Sequence, residues 1–65
     1  MNFDEILEDI MIEFELNQIQ LATKLGIKQS QISEWLKCKS KPGYDNIKKI
    51  CTALGISADR LLGLE

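Results

Sequence analysis

Apolar residues recur along this chain at spacings of three and four, the period of a helix, and no stretch alternates as a half-buried strand would. Phe3, Leu7, Ile10, Met11 and Phe14 share one face of a first helix expected over Phe3 to Glu15. Most of its carboxylates lie off that stripe, and Asp4 and Glu5 sit in the first turn, where the helix dipole favours negative charge. Asn17 is an N-cap, and Gln20 three residues later completes a capping-box pattern. Leu21, Ala22 and Leu25 form the buried edge of this second helix, and Gly26 ends it by accepting the left-handed conformation. A third helix is expected from about Gln29 to Lys37, with Ile32, Trp35 and Leu36 inward. Pro42 and Gly43 break the chain within the loop 39–43. The fourth helix spans about Tyr44 to Leu54, with Ile47, Ile50, Cys51 and Leu54 inward and Gly55 at its end. Ser57 caps a short fifth helix through Leu61 or Leu62, stopped by Gly63.

The class is therefore all-α, and five short helices on short loops make an orthogonal five-helix bundle rather than an up-and-down one. At 65 residues the chain is a single domain, 1–65. Such a chain buries about 60% of its unfolded surface, with an expected stability of roughly 3–10 kcal/mol. The spacing of Ala22, Gly26, Ile32 and Trp35 adds a constraint. A small residue lets a second helix cross closely, a glycine makes a tight turn, and two apolar anchors seat the next helix. Helices joined in this way cross at ~90–120° and leave the outer face of the second one protruding.

Net charge is −2, but it is divided unevenly. Residues 1–16 carry Asp4, Glu5, Glu8, Asp9, Glu13 and Glu15 with no base, residues 17–50 carry seven lysines against Glu34 and Asp45, and residues 51–65 are near neutral. It is this distribution, and not the sum, that steers a polyanion. No apolar run approaches the ~20 residues of a membrane span, and the N-terminus is acidic where a signal peptide is basic. A cytoplasmic location is expected. Cys38 and Cys51 are read as reduced thiols, too few for a disulfide framework. With no histidine, neither a metal site nor a cofactor is expected. Nor does the chain read as an enzyme, since it has no glycine-rich phosphate loop and no paired carboxylates demanding a cleft.

The run from Leu16 to Ile27, continued by Gln31-Ile32-Ser33-Glu34-Trp35, resembles the helix-turn-helix of the phage repressor/Cro-like (XRE-type) DNA-binding family. Residues 39–42 resemble that family's following loop, and residues 53–63 its usual ending, so the resemblance covers about residues 7–63. It implies a lambda-repressor-like domain, with the helix-turn-helix at helices 2 and 3 and the third helix lying in the major groove of a double-stranded operator. The implied base-reading residues are Gln29, Ser30, Ser33 and Glu34. Gln29 matches a position that often reads a base, and a glutamine pairs bidentately with adenine. Two readings of Glu34 are open: it accepts from a cytosine amino group, or it is solvated and pairs with Lys37. The implied phosphate contacts are Asn17, Gln18, Lys28, Gln31, Lys37, Lys39, Ser40 and Lys41. Lys24, Lys48 and Lys49 read equally well as ordinary surface charge.

Four departures from the family pattern carry further expectations. Met11 and Leu36 stand where the family has an arginine and a glutamate that form an ion pair, and a joint apolar replacement avoids one buried lone charge. The two side chains should therefore meet in the core. Cys38 replaces a glycine at the end of the third helix, so either it adopts a left-handed conformation or that helix ends differently. Lys28 replaces a capping serine, leaving the third helix less well capped. The acidic first helix should point away from phosphates, where it is free to meet a basic protein partner.

The function implied is that of a transcriptional regulator, repressor-like, bound to a palindromic operator as a homodimer. Leu61, Leu62 and Leu64 are the candidates for the dimer contact, with Leu61 or Leu62 expected in the core. The alternative is a protein-interaction module of the same fold that does not read DNA.

Overall fold

The computed structural model describes residues 2–64, and it forms the all-α five-helix bundle that the spacing implies. The helices are α1 (Phe3–Glu13), α2 (Gln18–Leu25), α3 (Gln29–Leu36), α4 (Tyr44–Leu54) and α5 (Ala58–Leu61). α3 packs between α1 and α2, α4 lies against α2 and α5, and α5 closes back on α1.

One core unites them. Leu7, Ile10, Leu21, Ile32, Ile50 and Leu61 are its fully buried side chains, so every helix contributes at least one. Each such side chain contributes about 1.5–3 kcal/mol by leaving water. Trp35 lies beneath α1, with Phe3 meeting its ring edge-on at 81° and 6.4 Å between centroids. Ala22 is buried where α2 meets α3. Ile6, omitted from the predicted stripe, is also core. It stands four residues before Ile10 and widens the buried face of α1.

The helix starts follow their caps. Asn17 Oδ1 accepts from the Gln20 N–H at 2.7 Å while Gln20 Oε1 accepts from the Asn17 N–H at 2.9 Å. Ser57 Oγ accepts from the Arg60 N–H at 3.1 Å. Lys28, as expected, gives α3 no side-chain cap.

All five helices end in the same way. A residue of positive φ turns the chain, and the following N–H reaches back to a carbonyl of the last turn: Leu16 to Met11, Ile27 to Ala22, Lys39 to Glu34, Ile56 to Cys51 and Leu64 to Asp59. In α2, α4 and α5 the turning residue is glycine, while in α1 and α3 it is Glu15 (φ 55) and Cys38 (φ 60). Cys38 thus adopts the left-handed conformation directly. Glu15 does the same, so α1 stops at Glu13 and not at Glu15. A side chain costs about 1–2 kcal/mol in this conformation. Leu16, Ile27 and Ile56, just past three of these turns, pack on the core, but Lys39 after α3 is exposed.

Candidate nucleic-acid interface

α3 opens at Gln29, and the core residues Ile32 and Trp35 fix which way it faces. Gln29, Ser30, Ser33, Glu34 and Lys37 then recur at helical spacing on the opposite side, Ser33 half-buried and the others exposed. Gln31 is exposed at the edge of this stripe, one turn before Glu34 and Trp35.

Two cross-links join these residues to neighbouring elements. Gln29 Nε2 donates to Gln18 Oε1 at 3.5 Å, tying the first residue of α3 to the first residue of α2. Ser40 Oγ donates to Glu34 Oε1 at 3.3 Å, tying the loop after α3 back onto the helix. Glu34 therefore meets Ser40, and no Glu34–Lys37 ion pair forms among the described residues. One of its oxygens stays available on an exposed surface.

The remaining predicted residues surround this stripe. Lys28 precedes α3, and Lys37, Lys39 and Lys41 follow it, all four exposed. Gln18 is half-buried at the start of α2. Asn17 stands beside it, but its side-chain oxygen is engaged in the capping box, which leaves only its amide N–H groups to meet an anion.

Met11 and Leu36 line one shallow cleft, together with Ile12 and Leu16. Met11 is buried and Leu36 half-buried against the core, so the two share the wall of that cleft at the core's edge.

The acidic helix does not turn wholly away from this surface, contrary to expectation. Because α1 lies along α3 through Phe3 and Trp35, its N-terminus reaches the exit of α3, and its C-terminus feeds directly into α2. Asp4 lines one cleft with Ser40 and Lys41, while Glu8 and Glu15 line another with Asn17 and Gln18. A hydrogen bond between the Cys38 thiol and the Asp4 carboxylate, helped by desolvation and by the charges of Asp4 and Glu5, holds that thiol above its ordinary range, with Lys41 opposing. Glu13 faces the other side, where it accepts from Arg60 Nη2 at 2.6 Å. The Arg60 bond, outweighing desolvation, lowers the Glu13 carboxyl below its usual value.

Sequence reasoning read Asp4 only as a first-turn acid complementing the helix dipole. Its place beside the loop after α3 depends on how two helices pack, which no local pattern reveals.

The chain matches the helix-turn-helix family model over residues 7–61. It is similar to a helix-turn-helix-type transcriptional activator, BcrR of Enterococcus faecalis, at 32% identity over 65 residues. That match covers 100% of this chain and 32% of the relative, so the chain spans about a third of that protein's length. No solved structure shows significant similarity to it.

Proposed function

The chain belongs to the helix-turn-helix family, and from that premise we propose that it binds double-stranded DNA in a sequence-specific way and regulates transcription. The observation that carries this reading is the Gln29–Gln18 bond. It sets the leading side chain of α3 against the start of α2, so that one glutamine is held for a base edge and the other for a phosphate. Ser30, Ser33 and Glu34 complete the reading face, with Glu34 offering a carboxylate oxygen to a cytosine amino group. Lys28, Lys37, Lys39, Ser40 and Lys41 hold the backbone on either side, with Gln31 and the Asn17 amide at the margins. This is work for the cytoplasm, where DNA lies, and it asks no catalysis of the chain.

Two copies on a two-fold operator would place their third helices one helical turn, ~34 Å, apart. Leu62 and Leu64, 46% and 71% exposed beside the buried Leu61, supply the apolar contact for that homodimer. Occupying such an operator is enough to repress. Activation, the role in the name of the Enterococcus relative, needs a second surface, and α1 offers one. Ile12 stands 69% exposed beside Glu8 and Glu15, a combination suited to a basic partner protein.

A salt titration tests the reading. With Lys28, Lys37, Lys39 and Lys41 engaged, log affinity should fall against log salt with a slope of about −4 per bound domain. A slope near zero would falsify DNA binding and leave the protein-interaction module as the function.

A further inference from the structure

The outer face of α1 is acidic and uncovered. Glu5, Glu8, Asp9 and Ile12 recur there at helical spacing, opposite the core, and all four are exposed, Ile12 at 69%. α4 carries an exposed face of opposite sign. Tyr44, Lys48, Lys49 and Thr52 share it at similar spacing, Tyr44 at 78% exposure. Lys24 of α2 joins Lys48 and Lys49 around one shallow cleft of about 530 Å³, with Asp45 on the same cleft. Lys24 stands with Ala53 there and again in a neighbouring cleft, so it lies toward the C-terminal end of α4. None of these carboxylates and lysines forms an ion pair among the described residues, and none is assigned to a base or a phosphate.

We propose that the two faces meet between copies, α1 of one chain docking antiparallel along α4 of the next. That direction sets Ile12 on Tyr44, Asp9 and Glu8 on Lys48 and Lys49, and Glu5 toward Lys24. A parallel crossing would oppose Glu5 to Asp45 and leave both exposed apolar side chains uncovered. Because the two surfaces differ, the contact adds copies in series and does not close a symmetric pair. It names a second copy as the basic protein offered to α1 above, and it rests on that reading of α1. Exposed ion pairs are individually weak, so Kd is on the order of 0.1–1 mM at low salt. Copies on neighbouring operators meet at a far higher effective concentration, where this contact acts as cooperativity. That last step alone rests on the DNA-binding reading.

Sedimentation and ¹H–¹⁵N spectra of the full chain, from about 20 μM to about 1 mM, test the contact. At low salt, mass should rise with concentration, with shifts on the outer face of α1 and around Tyr44, Lys48 and Lys49. Raising salt to about 300 mM should weaken association about tenfold. Glu8→Lys with Asp9→Lys, and Lys48→Glu with Lys49→Glu, should each weaken it about tenfold or more, and an equimolar mixture of the two proteins should restore it. The salt comparison on the unaltered chain keeps the test decisive whatever the substitutions do to folding. Association indifferent to salt, shifts confined to Leu62 and Leu64, or a mixture that stays dissociated would overturn the contact. A chain that stays monomeric overturns it too. If added oligolysine then shifts the α1 face, the self-contact alone fails; if it does not, the basic-partner reading of α1 fails as well. On DNA with two adjacent operators, the second site should fill about threefold more tightly once the first is occupied, and Lys48→Glu with Lys49→Glu should lose that gain. No gain despite association in solution overturns the cooperative step, whereas failure to bind any DNA overturns the DNA-binding reading instead.

Discussion

The Gln29 side-chain amide donates to Gln18 Oε1 across 3.5 Å, so the opening residues of α3 and α2 share one hydrogen bond at the surface. A side chain held in this way reaches a base edge with less orientational freedom to lose. Gln29→Ala should change sequence preference, costing about 1–3 kcal/mol at a single operator position. Gln18→Ala should weaken all sequences alike. Because the residues are bonded, the double variant should lose less than the sum of the two, and binding isotherms for all four proteins measure that coupling.

Glu15 and Cys38 hold the left-handed conformation that glycine holds at the ends of the other three helices. Glu15→Gly should stabilise the fold by about 1 kcal/mol, raising Tm by roughly 4–8 °C, and Cys38→Gly should gain less, because it also loses the thiol's bond to Asp4. The converse change, Gly26→Ala, should destabilise by about 1 kcal/mol or more. A Cβ there meets nothing within 4 Å, so the backbone conformation at φ +69 is the whole cause. Thermal unfolding of the three variants checks both directions.

The reciprocal bonds between Asn17 and Gln20 seal the start of α2. Asn17→Ala should cost about 1 kcal/mol of stability, and urea unfolding should show a lower midpoint at unchanged slope. If Asn17 also holds a phosphate through its amide, Asn17→Asp preserves the cap and loses DNA affinity.

Stability should depend on pH at both extremes. The Glu13 carboxyl, lowered by Arg60, contributes stability above its unfolded value, about 4.3, and that contribution disappears as pH falls through the lowered folded value. Glu13→Gln should flatten the acid limb. The Cys38 thiol is raised, so its contribution is complete below the unfolded value, about 8.5, and is lost as pH rises through the folded one. Cys38→Ser should flatten the alkaline limb, since a hydroxyl still donates to Asp4 but does not ionise there. Unfolding curves at pH 3, 7 and 10 separate the two effects.

What was legible in the sequence was local. Asn17, Gly26, Gly55 and Ser57 mark boundaries because a cap or a positive φ involves only a few neighbouring residues, and the structure places each one there. The end of α1 was not legible, because Glu15 takes a glycine's conformation with no local sign of it. Of the interface, the protruding stripe on α3 follows from helical spacing against Ile32 and Trp35. Its partners do not: Gln18 and Ser40 bond to it from other elements, and Asp4 reaches the cleft beside Ser40 from α1. The acidic helix shows the same limit. Its charge was plain in the sequence, but its direction is decided by the packing of α1 along α3.

If the α3 stripe reads DNA, selection of bound duplexes from a random pool will recover the sequence it reads. Enrichment of a two-fold motif with half-site centres about 10 bp apart is expected, with a shift of one symmetric position in that motif when Gln29 is replaced. Recovery of no enriched sequence, or of the same motif from the Gln29→Ala protein, would contradict it.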